Sequence, residues 1–180
     1  MERRPYDEYD FRRHFDKAYA DSDRDFTEME PAYRYGYRLA GEQDRDWSEI
    51  EEEARTRWMS EQPGLDWDTC IVAIRYGYDR SRAGDSFRRH FEESYPETGK
   101  EWATTGPAYD YGYELAQHEA HLDRPWEDVE KDARKGWLRG YAHEEADWEM
   151  ARGAMAYGYE RGQMDYSGTG KGWLTGYSDN

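Results

Sequence analysis

The sequence predicts an all-α protein built as two tandem four-helix repeats, related by pseudo-symmetry, around a mainly aromatic core. FRRHF at 11–15 returns at 87–91, and PAYRYGYRLA at 31–40 returns as PAYDYGYELA at 107–116. Self-similarity at a fixed period is typical of repeat architectures. Within each copy, apolar residues recur at steps of three and four, which is the period of an α-helix. Because 17 Tyr and 8 Trp outnumber the 6 Leu, 3 Ile and 2 Val, aromatic rings must supply most of the core.

The first two helices of each repeat are predicted from ring spacing and from a proline. Residues of about 7–20 and 85–95 place phenylalanine and tyrosine rings four residues apart on one face, as at Phe11, Phe15 and Tyr19. The second helix is expected at about 30–42 and 106–119. Pro31 and Pro107 should lie in its first turn, where a missing N–H breaks no helical hydrogen bond.

Tryptophans mark the third and fourth helices. The third, at about 46–61 and 125–140, has apolar residues at helical steps and an acidic first turn that suits the helix dipole. The fourth is expected at about 66–82 and 147–163. The predicted domains are therefore one repeat at 1–82, a second at 83–163, and a C-terminal tail at 164–180 that could be a partial copy or a cap.

Charge limits the classes of partner. The net charge is −16, shared as 20 acidic and 12 basic residues at 6–82 and 18 and 10 at 83–162. Such a surface disfavours direct binding to nucleic acid or anionic membranes and favours a protein partner, especially a basic one, although it also serves solubility. With one cysteine, no apolar leader and no membrane-length apolar run, the chain is expected to be cytoplasmic.

The motif Tyr-Gly-Tyr occurs four times and needs its own explanation. A glycine within a helix costs roughly 1 kcal/mol relative to alanine. We expect the second and fourth helices of each repeat to cross at these glycines, with the flanking tyrosines on either side of the crossing. The alternative is a ligand held between the rings, which would make these binding residues: Tyr35, Tyr37, Tyr76, Tyr78, Tyr111, Tyr113, Tyr157 and Tyr159.

Two further clusters could carry chemistry. A basic cluster recurs in both copies and could bind a phosphate or a partner's carboxylate, or could serve the core's edge; it comprises Arg12, Arg13, His14, Arg88, Arg89 and His90. His118 and His121 lie three apart on a predicted helix, a spacing that can present two imidazoles to one metal. Further ligands would have to come from Glu119, Asp123 or His143. Phosphate-binding glycine loops, nucleophile elbows and zinc-finger spacings are absent, and the sequence predicts no cofactor and no enzyme.

The segments PAYRYGYRLA, RDWSEIEEEARTRW and IRYGYDR resemble a bacterial tandem-repeat family of unassigned activity, whose members carry YRYGYxLA and RDWxxxExxxRxxW and are sometimes associated with stress. The resemblance covers almost the whole chain twice, although the second copy has RPW in place of RDW. The family supplies no activity, substrate or catalytic residue to carry over. With the absence of catalytic motifs, the resemblance favours a stress-associated binding or scaffold protein without enzymatic activity. Two alternatives stay open, namely an acidic decoy that imitates nucleic acid before a DNA-binding protein, and a small-ligand or metal-binding protein.

Overall fold

The computed structural model describes residues 8–43, 45–96, 99, 101–140 and 145–168. These residues form helices and no strand, which confirms the all-α prediction. A short 3-10 helix at Glu119–His121 accompanies seven α-helices within this part of the chain: α1 Glu8–Ala18, α2 Phe26–Glu42, α3 Trp47–Glu61, α4 Trp67–Ser94, α5 Trp102–Ala116, α6 Trp126–Gly140 and α7 Glu145–Gly168. No described helix is both long enough and apolar enough to cross a membrane.

The chain divides between Gly84 and Asp85 into two compact units, called unit one and unit two below. The division falls inside α4, so the predicted fourth helix of the first repeat and first helix of the second are one continuous helix. The expected break was wrong because Gly84 costs a helix only about 1 kcal/mol and no proline follows it. At the other end α7 continues past the predicted boundary at 163, and residues 169–180 of the predicted tail lie outside the described residues.

Glycines bring two helices of each unit into backbone contact. A Cβ added at Gly36 of α2 would overlap the carbonyl oxygen of Ile74 in α4, and one added at Gly77 would overlap the carbonyl oxygen of Tyr33. The same holds where α5 crosses α7. There, Gly112 meets the backbone of Met155 and Tyr159, and Gly158 meets that of Tyr109. The prediction that the glycines mark helix crossings is confirmed in both units.

The remaining helices of each unit cover the crossing from its sides. In unit one, Phe11 of α1 contacts Tyr37 and Tyr76 at centroid distances of 6.1 and 5.9 Å. Trp58 of α3 contacts Tyr35 at 5.1 Å. In unit two the contacts recur from the C-terminal part of α4, through Phe87, and from α6, through Trp137. The tyrosines therefore splay to both sides of each crossing, as the motif predicts.

Helix α2 begins earlier than the sequence pattern predicts. Its N-cap is Asp25, whose carboxylate accepts a hydrogen bond of 3.0 Å from the backbone N–H of Glu28. Because α2 starts at Phe26, Pro31 lies inside the helix rather than in its first turn, and Pro107 lies inside α5 in the same way. Because Phe26 is buried in the core, α2 extends on the N-terminal side of Pro31.

The matched tryptophans are buried in both units with one exception. Trp58 and Trp137 are buried, as are Trp67 and Trp148, but Trp126 is only half-buried where its counterpart Trp47 is buried. Trp47 also stacks on Trp67 at 6.3 Å, with the two ring planes 5° apart. The core of each unit is thus built from aromatic rings, as the composition indicates.

Candidate functional site

A histidine held between two tyrosines occurs in each unit. In unit one, Nδ1 of His14 lies 2.6 Å from the hydroxyl of Tyr33, and the imidazole stacks on Tyr76 with a centroid distance of 3.8 Å. Burial, together with the positive charges of Lys17 and Arg13, lowers the pKa of His14 to about 3. At physiological pH this imidazole is therefore neutral and belongs to the core.

The arrangement recurs in unit two with one difference in exposure. Nδ1 of His90 lies 2.6 Å from the hydroxyl of Tyr109, and the ring stacks on Tyr157 at 3.9 Å. His90 is half-buried, and its Nε2 lies 3.2 Å from Oγ of the exposed Ser94. Desolvation lowers the pKa of His90 as well. Each unit thus contains a neutral imidazole bonded to a buried phenol.

The arginines beside these histidines point elsewhere. Arg12 lies over the ring of Phe26 at 4.4 Å and pairs with Glu8 at 2.8 Å. Arg13 pairs with Asp10 at 3.4 Å. The structure therefore does not bring His14 together with the exposed Arg12 into one anion-binding cluster, because their neighbouring positions on α1 point to different sides of the helix.

The second basic cluster is arranged in the same way. Arg88 lies over the ring of Trp102 at 4.8 Å, which repeats the contact of Arg12 with Phe26. Arg89 is exposed. Packing against an aromatic ring is thus the recurring role of the first arginine in both copies of FRRHF.

The hydroxyls of the Tyr-Gly-Tyr motifs are largely used within the fold. Tyr35 donates to the carbonyl oxygen of Ala54 at 2.8 Å, and Tyr78 donates to that of Arg45. In unit two, Tyr159 donates to the carbonyl oxygens of His121 and Arg124 at 2.8 and 2.9 Å. At the glycines between the rings, the space that a ligand would need holds the backbone of the crossing helix.

The remaining tyrosines of the motif divide between two helices. The first helix of the unit is contacted by Tyr37, Tyr76, Tyr113 and Tyr157, whereas Tyr111 packs on Trp137 of α6. Tyr113 donates to a carboxylate oxygen of Asp165 at 3.1 Å, and the hydroxyl of Tyr157 lies 2.7 Å from Oγ of Ser86. Tyr37 is half-buried against Phe11. The motif therefore links helices through both ring packing and hydroxyl hydrogen bonds.

A buried ion pair between Asp10 and Arg80 in unit one was not predicted from the sequence. Nε and Nη2 of Arg80 donate to the same carboxylate oxygen of Asp10 at 3.0 and 2.8 Å, and both side chains are buried. The counterpart of Asp10 is Ser86, and Arg161, the counterpart of Arg80, pairs instead with Asp165 on its own helix at 2.9 Å. An alignment of the two copies shows the difference between them. Unit two has Ser86 where unit one has Asp10, and it has Asp165 where unit one has Gly84.

The predicted metal ligands do not assemble a site within the described part of the chain. Helix α5 ends at Ala116, so His118 caps the 3-10 helix instead of sharing an α-helical face with His121, and its Nδ1 accepts from the N–H of Ala120 at 3.3 Å. The two rings lie 5.6 Å apart. Among the side chains that the structure describes, no group of three or more His, Cys, Asp or Glu could hold a metal ion. His143 and the side chain of Glu119 lie outside the described residues.

No protein-family model, curated protein or solved structure matches this chain. The resemblance to the tandem-repeat family therefore stays a prediction from the sequence motifs.

Proposed function

We propose that this chain is a non-enzymatic helical repeat protein that acts by binding a protein partner, preferably a basic one, through its acidic surface. The observation that carries the proposal is the repeated use of chemically capable side chains in packing. His14 and His90 bond the same tyrosine of their units, and Arg12 and Arg88 cover the same kind of ring. Side chains that make the same contacts in both units stabilise the fold. The outer faces of the helices are therefore the surfaces that can bind a partner.

The outer face most suited to a basic partner belongs to α3. This helix carries five acidic and two basic residues, whereas α6 in the equivalent place carries four of each. Glu51, Glu52 and Glu53 are all exposed. Complementary electrostatic potentials raise the association rate and select between partners, so a basic protein should bind α3 in preference to α6.

The test is salt-dependent capture with matched charge variants. We expect the immobilised chain to retain a basic protein from extract of its own cell at low salt and to release it as the salt concentration rises. Replacing Glu51, Glu52 and Glu53 by glutamine should abolish retention. A control that replaces Glu127, Asp128 and Asp132 of α6 by their amides should retain it. Equal retention by both variants would contradict the proposal.

The second candidate is the nucleic-acid-imitating decoy, which the run of three exposed carboxylates on α3 favours. Against it, Glu51 accepts a hydrogen bond of 2.9 Å from the indole of Trp47, and Glu53 pairs with Arg45 at 3.1 Å. Two of the three carboxylates are thus engaged by the chain itself. A decoy should displace labelled DNA from a DNA-binding protein of its own cell, and we expect no displacement.

The stress association rests on the resemblance of the repeat motifs. It predicts that cells lacking this chain survive osmotic or oxidative stress less well than cells that contain it. Equal survival would remove this part of the proposal and leave the binding function untouched.

A further inference from the structure

Four side chains of unit two form a path from the surface through the core and back to the surface. Trp102 is half-buried, and its ring lies 5.8 Å from that of Tyr109, with the planes 28° apart. Tyr109 is fully buried and its hydroxyl lies 2.6 Å from Nδ1 of His90. Nε2 of His90 lies 3.2 Å from Oγ of Ser94, which is exposed. An indole, a phenol, an imidazole and a hydroxyl thus follow one another in contact.

The hydrogen bonds define how a proton moves along this path. A neutral imidazole that accepts from the hydroxyl of Tyr109 at Nδ1 carries its own proton on Nε2, which then donates to Ser94. Burial raises the pKa of Tyr109 and lowers the pKa of His90, so both groups are neutral before any reaction. The radical cation of a phenol is unfavourable in apolar surroundings, so Tyr109 can lose an electron only if its hydroxyl proton leaves as well.

We propose that Trp102, Tyr109, His90 and Ser94 form a one-electron relay that accepts an oxidising equivalent from a small inorganic radical and holds it on Tyr109. The radical takes one electron from Trp102 and is reduced to its anion. One electron then passes from Tyr109 to the Trp102 radical cation, while the hydroxyl proton of Tyr109 passes to Nδ1 of His90. The products are a closed-shell indole, a neutral phenoxyl radical and an imidazolium, so electrons and protons balance.

The position of Arg88 favours transfer of the oxidising equivalent from Trp102 to Tyr109. Its guanidinium lies 4.8 Å from the ring centroid of Trp102. A fixed positive charge beside the indole disfavours a radical cation on that ring. Transfer to Tyr109 relieves the repulsion. The transferred proton lies on Nδ1 of His90, and the imidazolium keeps its Nε2 proton hydrogen-bonded to the exposed Ser94.

Unit one provides an internal comparison. It has the same imidazole–phenol pair, since His14 and Tyr33 also lie 2.6 Å apart. It has Phe26 in place of Trp102 and Ala18 in place of Ser94. The pair is therefore common to both units, whereas the oxidisable entry and the proton exit belong to unit two alone.

A second tryptophan serves as the matched control. Trp126 is also half-buried and lies 5.6 Å from the ring of Tyr159. The hydroxyl of Tyr159 donates to backbone carbonyl oxygens, which cannot take its proton as an imidazole can. Oxidation of Trp126 should therefore not pass rapidly to its tyrosine.

The test is pulse radiolysis of the full chain with azidyl radical, which oxidises tryptophan in preference to tyrosine. Transient absorption then follows the conversion of tryptophan radical to tyrosyl radical. We expect a fast phase whose rate does not depend on protein concentration. Trp102→Phe should remove this phase, and Trp126→Phe should leave its rate unchanged. Loss of the positioned base in His90→Gln should slow it by about 10²-fold or more.

Several results would overturn the relay. They are an unchanged fast phase in Trp102→Phe, an equal loss in Trp126→Phe, or an unchanged rate in folded His90→Gln. Should His90→Gln fail to fold, the native chain still decides, because a proton-coupled step must slow in heavy water. A fast phase with the same rate in both solvents would exclude proton transfer to His90.

Discussion

Replacing Gly112 by alanine tests the helix crossing most directly. The added methyl carbon would lie 2.9 Å from both the carbonyl carbon of Met155 and the backbone nitrogen of Tyr159, and it would overlap the carbonyl oxygen of Met155. These atoms are helix backbone, so no side chain can rotate away, and α5 and α7 must move apart. Separating packed surfaces by about 0.5–1 Å forfeits a quarter to a half of the dispersion energy at the contact.

The magnitude follows from two opposing terms. Overpacking a core costs typically 1–3 kcal/mol and sometimes more, and a backbone clash belongs at the upper end of that range. The gain in helix propensity from glycine to alanine is at most about 1 kcal/mol. We therefore expect Gly112→Ala to lose about 2 kcal/mol or more of the free energy of unfolding.

Urea denaturation followed by far-UV circular dichroism measures this loss as a lower midpoint. The matched control is Gly140→Ala at the end of α6, where an added methyl meets nothing within 4 Å. This variant should be as stable as the native chain or slightly more stable. If Gly112→Ala also gained stability, the crossing would be looser than the structure shows and the explanation of the motif would be wrong.

Three further predictions concern buried groups. The pKa of His14 is about 3 in the folded state against 6.5 in the unfolded state, so its contribution to stability is complete above pH 6.5 and is lost as the pH falls towards 3, at about 1.4 kcal/mol per pH unit. The urea midpoints at pH 7 and pH 5 should therefore differ less in His14→Phe than in the native chain. An unchanged difference would contradict the burial of His14. Asp10→Asn should cost about 3–5 kcal/mol because it removes the buried carboxylate that pairs with the buried Arg80. Glu8→Gln, which removes the exposed pair with Arg12, should cost under about 1 kcal/mol in the same urea assay, and similar losses would show that the Asp10 pair is open to solvent. Cys70 is fully buried and burial raises its thiol pKa to about 11, so a thiol reagent should label it only after denaturant unfolds unit one, and rapid labelling of the native chain would refute this.

Part of the candidate site could be read from the sequence because the two copies confirm each other. The Tyr-Gly-Tyr motif predicts the helix crossings because four glycines in one context point to a shared steric need. The pairing of His14 with Tyr33 could not be foreseen, since the residues lie 19 apart and on different helices. The sequence left two roles open for the basic cluster, an anion site and the edge of the core. Helical periodicity turns adjacent residues to different sides, so that His14 is buried and Arg12 is exposed.

The buried pair of Asp10 and Arg80 shows a second limit. The two residues lie 70 apart, and both belong to charged types that usually remain exposed. Only the packing of α1 against α4 removes them from water. In unit two, α5 packs against the C-terminal part of α4 and places Trp102 and Tyr109 beside His90, although the sequence shows these residues simply as members of a repeated pattern.

The sequence by itself determined the helical class, the duplication, the aromatic core and the role of the glycines, because periodicity and steric need are local properties that recur twice. The tertiary structure alone decided that α4 is continuous, that α2 begins at Phe26, and which polar groups meet in the core. Helix ends and buried polar contacts depend on small differences between opposing energies, and these are set by distant neighbours in space.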